Sequence, residues 1–489
     1  MSTFQPSEYQ KAVYDYIQTG SGNAVIDAVA GSGKSTTIVN ALKLIPSDKK
    51  ILFLAFNKSI VEELKIKIGN LSNVDVCTLH SLGCKACFKS YHSQVNDSKY
   101  TAWLNDGVRN GWMAPYVGLC DEDKEEWRSN IRTLIDLGRV NLSNSARELQ
   151  SLAVKHDLYI LDNECEMAIK GIQWGMNYTS EIDFTDMIYL PVRKNLRMFQ
   201  FDWVFIDECQ DLNAAQRNLF LKCVKTGGRF VAVGDPRQAI YGFAGADVES
   251  FKLLTQLPNT IKLPLSVCYR CDSAIIDLAK NVVPQIEARP GAPVGVVERG
   301  VKKEDIKDGD MVLCRVTAPL VGLCMQYIAT GVKAYVKGRD VGANLVNMIK
   351  KTKRDKIAGM LQVLEREYGK IIGRVVKQTK CTEQEAKEST AYKTYEDKVE
   401  AIKVLSEGLK TCDDLINRIL AIFSDDTRNG ICLSTVHKSK GLESDRVFII
   451  NEDKFYLKPC MRVDWMAEQE RNLVYVAYTR AKHYLGFVS

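Results

Sequence analysis

The segment VFIDECQD, Val204–Asp211, constrains this chain most, because it follows the loop AVAGSGKST, Ala28–Thr36. An apolar run that ends in two adjacent carboxylates reads as a buried strand delivering acids to its C-terminal edge. Open α/β sheets bind ligands at that edge. The loop sits between the strand-like AVID and a helix-like run. Its glycines let backbone N–H groups approach phosphate oxygens, and the helix N-terminus adds a favourable dipole. Ala30, Gly31, Ser32, Gly33 and Thr36 would line the phosphates, Lys34 would reach the β/γ-phosphates, and Ser35 would ligate magnesium. Asp207 would hold that ion while Glu208 orients and deprotonates a water. Together these predict hydrolysis of a nucleoside triphosphate. A phosphate loop alone fits kinases, GTPases or transporters, and Ala28 stands where the bare motif prefers glycine. The acidic strand downstream argues against a chance match.

A length of 489 residues allows two or more domains with sizeable cores. Hydrophobic content of 46% and charged content of 26% are ordinary for a soluble globular protein. The net charge of +6 permits a polyanionic partner without demanding one. No apolar stretch approaches a membrane span, and MSTFQPSEYQ is too polar for a secretory signal. A membrane partner is therefore not expected, and the 15 cysteines read as reduced thiols in a cytosol-like compartment. Cys84–Cys87 and Cys268–Cys271 have zinc-like spacing, but neither has a histidine or second pair at finger spacing. Buried, unpaired thiols are the expectation.

Between Lys34 and Asp207 the chain is far longer than a minimal nucleotide-binding core requires. Short apolar strands are predicted at Ala24–Asp27, Ile51–Phe56, Val204–Ile206 and Phe230–Val233. Between about Ser81 and Ile182 the texture turns polar, Trp-bearing and helical. A second αβ set has strands near Val294–Glu298, Met311–Arg315 and Arg446–Ile450, interrupted from about Val346 to Asp425 by a charged helical segment. The expected fold is α/β: two P-loop NTPase-type cores with parallel sheets, each interrupted by a mainly helical insertion. The first core would span 1–80 and 183–262 around an insertion at 81–182. The second would span 263–345 and 426–489 around a shorter insertion at 346–425. KKTKRDK, Lys350–Lys356, reads as a solvated helix face rather than a nuclear-localisation signal.

In VGDPRQAIYGFAGAD, Val233–Asp247, Gln238 stands just past a strand end, where an amide can touch both a γ-phosphate and a water. A solvated turn amide fits the same residues. Tyr241 and Phe243 are either core aromatics or faces on which bases stack, worth about 1–3 kcal/mol each.

Taken in order, these segments resemble the UvrD/PcrA/Rep group of superfamily 1 helicases, whose cores are RecA-like. Gln10 in PSEYQKAVYDYI matches the adenine-reading glutamine. ILFLAFNKS and VCTLHSLG resemble the single-strand-contacting motifs. LPLSVCYRC resembles the motif whose tyrosine stacks on adenine and whose arginine meets the γ-phosphate, here Tyr269 and Arg270. STVHKSKGLESD resembles the Thr-x-His-x-x-Lys-Gly-Leu-Glu motif, in which Glu443 would accept a bond from the ribose. ERNLVYVAYTRAK resembles the closing motif with its arginine finger, here Arg480.

The resemblance implies an ATP-dependent, Mg2+-requiring DNA helicase moving 3′ to 5′ on single-stranded DNA, in replication, recombination or repair. The alternative is an ATP-gated translocase that strips proteins from DNA, or serves as a subunit, without separating strands. Implied catalytic groups are Lys34, Asp207, Glu208, Gln238, Arg270 and Arg480. The implied strand contacts are Phe56, Asn57, Lys58, Thr78, His80, Tyr241, Phe243, His437 and Lys440. Partners would be single-stranded DNA, single-strand/duplex junctions, and single-strand-binding or recombination proteins. The setting would be the cytoplasm of a bacterial or phage-infected cell, or the nucleus of a eukaryote, the compact size suggesting a phage version. The last helicase motif stands so near the end of the chain that a nuclease domain is not expected. Departures from the family pattern are Ala244 for arginine, Cys209 for alanine, and Glu443-Ser444-Asp445 without the usual aromatic. The shorter second insertion suggests weaker autoinhibition.

Overall fold

The computed structural model describes residues 5–489 except 70, 111–120, 157, 159, 161–162, 243–248, 426–428, 458–459 and 463. The chain forms two compact units, Met1–Val29 with Gly33–Ser266, and Ala30–Ser32 with Val267–Ser489.

In the first unit, β1 (Asn23–Ala28), β2 (Ile51–Ala55) and β3 (Val74–Thr78) alternate with helices Lys34–Leu42 and Lys58–Ile68. The two-residue strands β4 (Gln94–Val95) and β5 (Glu181–Ile182) pair in parallel. They bring together the entry and exit of the helices Lys99–Arg109, Asp121–Val140, Ala146–Lys155 and Glu164–Asn177. Then come β6 (Phe201–Ile206), β7 (Val224–Gly234) and β8 (Thr260–Leu265). The six long strands form one parallel sheet in the order β3-β2-β6-β7-β1-β8. β2 is buried at every position and β1 at all but its first, as expected of central strands covered on both faces. β8 lies at the edge, where Pro264 costs no ladder bond, and it continues to Leu265, past the expected boundary at 262.

The helices between β4 and β5 have their own core, which includes Trp103, Trp127, Ile131, Ile135, Leu149 and Ile172. The helix Leu79–Tyr91 crosses the expected boundary at 81 and packs on helices Phe184–Arg193 and Ala214–Lys222. A Cβ at Gly83 would stand 1.8 Å from the Met187 carbonyl oxygen, so that crossing needs glycine.

The second unit opens with a small parallel pair, β9 (Val267–Cys268) and β10 (Glu287–Ala288). Its main strands are β11 (Val296–Val301), β12 (Met311–Cys314), β13 (Ala334–Lys337), β14 (Phe423–Ser424), β15 (Ile431–Thr435), β16 (Ser444–Ile449) and β17 (Ala481–Val488). They form one parallel sheet in the order β11-β17-β16-β12-β15-β13-β14.

Helices Ile357–Thr379, Thr390–Ser406 and Cys412–Ile422 do not form a separate core. Met360, Leu364, Ile402, Leu405, Leu415 and Ile419 belong to the same apolar cluster as Val312, Val336, Leu433 and Phe448 of the sheet. Each such side chain contributes about 1.5–3 kcal/mol on burial. Deleting 346–425 should therefore prevent the second unit from folding, which loss of cooperative melting and rapid limited proteolysis would report. The Lys350–Lys356 run is not one helix face. Lys350 and Lys351 end the helix Arg339–Lys351, while Lys353, Arg354 and Lys356 lie exposed in the turn that follows, and Thr352 is buried. Cys84 is half-buried, Cys87, Cys268 and Cys271 are buried, and all four are free thiols. Among the described residues, no helix is long and apolar enough to cross a membrane.

Candidate nucleotide site and nucleic-acid track

The ends of β1, β6 and β7 carry the chemistry of the first unit. After β1 the chain turns at Gly31 and Gly33, whose φ values of +66° and +75° favour glycine. Gly33 then caps the helix Lys34–Leu42 with no side-chain cap bond, so its first N–H groups remain available to an anion. The Ser32 hydroxyl is buried and has no hydrogen-bond partner among the described residues. An orphaned donor in this loop suits a phosphate oxygen. Ser35 is half-buried and Thr36 exposed.

The Lys34 ammonium lies 2.7 Å from Glu208 Oε1. Burial disfavours its charge, but Glu208, then Asp207, outweigh that and hold its pKa above the usual 10.5. Glu208 adopts φ +52°, a left-handed turn that ends β6 and redirects the chain. Its Oε2 accepts from Gln210 Nε2 at 2.5 Å, and Gln210 Oε1 accepts from the Asp235 N–H at 3.1 Å. Gln210 thus ties the acidic turn to the turn after β7. A Cβ at Gly234 would stand 2.3 Å from Gln210 Oε1, so this tie also needs glycine. Nothing in the pattern singled out Gln210; its place two residues after the acids was the only signal.

Gln238 is buried, its amide donating to Asp235 Oδ2 at 2.8 Å. Burial raises the Asp235 pKa against the pull of Arg237, whose guanidinium lies 2.7 Å from both Asp235 and Asp27. Gln10 is also buried. It donates to Thr37 Oγ1 at 2.9 Å and accepts from the Ser7 N–H at 3.0 Å, which holds its amide beside the phosphate-loop helix.

The neighbouring strand ends, β2 and β3, carry different groups. Phe56 is 52% exposed after β2. Asn57 caps the helix Lys58–Ile68, and Lys58 is exposed. Thr78 is buried as the cap of the helix Leu79–Tyr91, its hydroxyl accepting from the Ser81 N–H at 3.1 Å. The His80 ring meets Phe184 edge-on at 6.2 Å, and Phe184 is 56% exposed. Burial lowers the His80 pKa, which favours a neutral ring. Phe184 is a track candidate that the sequence reading missed, because it follows the helical segment and no motif marked it. Tyr241 is half-buried; Phe243 and Ala244 lie outside the described residues.

The second unit separates two groups along its own sheet. Arg270 follows β9, Glu443 precedes β16 and Arg480 precedes β17. Arg270 Nε meets Glu443 Oε2 at 2.6 Å, Arg270 Nη1 donates to the Thr479 carbonyl at 3.0 Å, and Lys482 reaches Glu443 Oε1 at 3.2 Å. Burial would raise the Glu443 pKa, but Arg270 and Lys482 draw it below 4.5. Arg480 is 1% exposed and donates to the carbonyls of Val476 at 3.0 Å and Leu442 at 2.9 Å. Tyr269, beside Arg270, is 37% exposed.

At the opposite, C-terminal ends of the strands, His437 and Lys440 follow β15 and Arg315 follows β12. Both residues after β15 are half-buried. Arg315 Nη2 pairs with Glu470 Oε1 at 2.6 Å. Burial, then Arg315 and Lys438, push the His437 pKa well below 6.5, so its imidazole is neutral.

The description UvrD/REP helicase N-terminal domain matches residues 9–258, and UvrD-like helicase C-terminal domain matches 343–489. The chain belongs to the UvrD/REP helicase family. The two parallel α/β sheets are therefore RecA-like cores of that family. The chain is 22% identical over 288 residues to the ATP-dependent DNA helicase Rep of Buchnera aphidicola, covering 55% of this chain and 43% of the relative. It is 24% identical over 288 residues to the ATP-dependent DNA helicase PcrA of Leuconostoc citreum, covering 55% and 38%. It is 23% identical over 504 residues to F-box DNA helicase protein 1 of Schizosaccharomyces pombe, covering 94% of this chain and 54% of that one. The chain thus spans about half or less of the length of these curated relatives. The likeness to the F-box helicase runs through nearly the whole chain, second helical segment included.

Proposed function

We propose that this UvrD/REP family chain hydrolyses ATP to move along single-stranded DNA, 3′ to 5′, and separates duplex strands as it goes. The observation that carries this reading is the Lys34–Glu208 contact of 2.7 Å beside Asp207, made across the ends of β1 and β6, strands that β7 separates. Lys34 would meet the β/γ-phosphates and Glu208 would orient and deprotonate the attacking water. Gln238, held by Asp235, would sense the γ-phosphate. Gln10 and Tyr269 would hold adenine and Glu443 the ribose. The Ser35 hydroxyl and the Asp207 carboxylate are hard oxygen donors that suit Mg2+, which takes few protein ligands and keeps several waters. The ion would offset charge on the phosphates.

Arg270 and Arg480 belong to the second core, and by the family resemblance they would bring positive charge to the transferring phosphate. Positive charge supplied this way contributes about 10³–10⁵ in rate. Binding, hydrolysis and release would each favour a different conformation, which converts chemistry into stepping. The strand would cross Phe56, Asn57, Lys58, Thr78, His80, Phe184, Tyr241 and Phe243 on the first core, and His437 and Lys440 on the second. Within this division, 81–182 and 346–425 are the helical insertions. Contacts of this kind read backbone and base faces, so binding should be insensitive to sequence and fall steeply with salt.

A strand-displacement assay with 3′-tailed, 5′-tailed and blunt duplexes, with ATPase measured alongside, tests the proposal. Displacement of the 3′-tailed substrate alone, with DNA-stimulated hydrolysis, is the expected result. Hydrolysis without displacement of any substrate would leave a translocase that strips proteins. Preference for the 5′ tail would overturn the direction.

A further inference from the structure

On the first unit, at the sheet edge opposite its catalytic strand ends, a pocket of about 710 Å³ opens between helix Leu79–Tyr91, the residues before β6 and the start of β7. Gln200 directly precedes β6 and Val224 begins β7, whereas Asp207 and Gly234 stand at the other ends of the same strands. We infer that this pocket docks a short acidic segment of a partner protein, one that carries an apolar side chain among its carboxylates.

Four cations, Lys85, Lys89, Arg197 and Lys222, line the pocket, and no carboxylate lines it. Lys85 and Lys89 stand four apart on one helix face, a like-charge placement that weakens a helix locally. None of the four forms an ion pair among the described residues, whereas Lys225 close by pairs with Asp202 at 2.9 Å. Lys222 reaches only the amide oxygen of Asn195. Among the described residues the charge is uncompensated, so an anionic partner would supply the missing counter-charge.

The floor is aliphatic. Leu82, Ala86 and Leu196 are buried there, with Leu221 and Val224 half-buried beside them. Phe199 stands at the rim, 67% exposed, with Lys89 Nζ over its ring at 5.4 Å. A bounded pocket with an aliphatic floor and one rim aromatic suits an anchoring side chain flanked by carboxylates. Nucleic acid is better served by a continuous groove with several stacking faces. The cations would steer the acidic segment and the floor would retain it.

Fluorescence anisotropy with a labelled peptide of aspartates ending in Leu-Phe tests this on the full chain. Saturable binding is expected, weakened at least about tenfold by Arg197→Glu or Lys89→Glu, and by Ser-Ser in place of Leu-Phe. ATPase and melting temperature should stay at their native values, since these residues are exposed and outside the catalytic machinery. Equal binding by native and variant proteins would place the peptide elsewhere and overturn the inference. Indifference to Leu-Phe would reduce the pocket to a charged surface and overturn it too. A blunt DNA duplex that displaces the peptide, and itself loses affinity with Arg197→Glu, would make this a nucleic-acid face instead.

Discussion

Glu208→Gln is expected to lower the maximal ATPase rate by about 10²–10⁴ while ATP still binds, the range that a positioned general base contributes. Oε1 of Glu208 faces Lys34 and Oε2 faces Gln210, so the carboxylate is held on both sides at the end of β6. An amide has the same shape but only one oxygen, and it cannot take a proton from water. Lys34 or Gln210 would lose an acceptor. With the Lys34 and Glu208 side chains 14% and 22% exposed, that loss should cost about 1 kcal/mol of stability, too little to unfold the core. Rapid-quench single-turnover kinetics with equilibrium ATP binding would separate the effects. Native-rate hydrolysis by this protein would remove Glu208 from the role of base. Loss of ATP binding would instead show that the Lys34 contact, rather than the base, dominates the site.

The legible parts were those in which chemistry and strand ends coincide. β1, β2 and β6 are apolar runs that stop at polar motifs, and a parallel sheet presents such motifs along one edge. The strand order then sorts them: β1, β6 and β7 carry residues proposed for the nucleotide, while β2 and β3, beyond β6, carry residues proposed for the single strand. Pattern could not give that order, because register among parallel strands depends on long-range pairing. β8 went unseen because TIKLPL is half polar and holds a proline, as an edge strand can. That the helices of 346–425 pack on the second sheet was illegible for a related reason. An amphipathic helix reveals that it has a buried face, not what covers that face, and here the cover is the second sheet's own core.

The charged residues of the first helical segment hide a buried cluster. DEDKEEWRSNIRTLIDLGRV reads as a polar helix, and Lys, Arg, Asp and Glu are rarely fully buried unless paired. Yet Arg139, at its end, has no exposed surface, and neither do Lys99 and Asp186. Arg139 Nη1 bonds Asp183 Oδ1 and Asp186 Oδ1, each at 2.7 Å, and its Nη2 bonds Asp183 Oδ2 at 2.8 Å. Lys99 meets Asp186 Oδ2 at 2.7 Å and the Gly175 carbonyl at 3.1 Å, and the Tyr100 hydroxyl donates to Asp186 Oδ1 at 3.1 Å. Burial disfavours the charged form of Asp183, but Arg139 outweighs it and holds the pKa below 3.8. That contribution to stability is present above the unfolded carboxyl pKa and is lost as pH falls through the folded value.

Lys99, Arg132 and Arg139 meet Asp136, Asp183 and Asp186 in this cluster, and Asp186 is the carboxylate that pairs with Lys99, so removing it strands a buried ammonium. Asp186→Ala should therefore destabilise the first unit by about 3–5 kcal/mol, more than most surface ion pairs contribute together. Denaturant unfolding of the variant and native chains measures it. A loss under about 1 kcal/mol would mean that water enters and solvates Lys99 and Arg139 at little cost. The effect should also reach the track. Asp183 caps the helix Phe184–Arg193, and Phe184, its first residue, meets His80. Loosening that helix frees Phe184, a proposed strand contact, so single-strand affinity should fall even where the variant remains folded. Asp202→Ala is the control, because Asp202 bonds Lys225 and the exposed Lys50 N–H near the surface, at the start of β6 and away from the proposed strand contacts. It should change stability by no more than about 1 kcal/mol and leave the affinity alone.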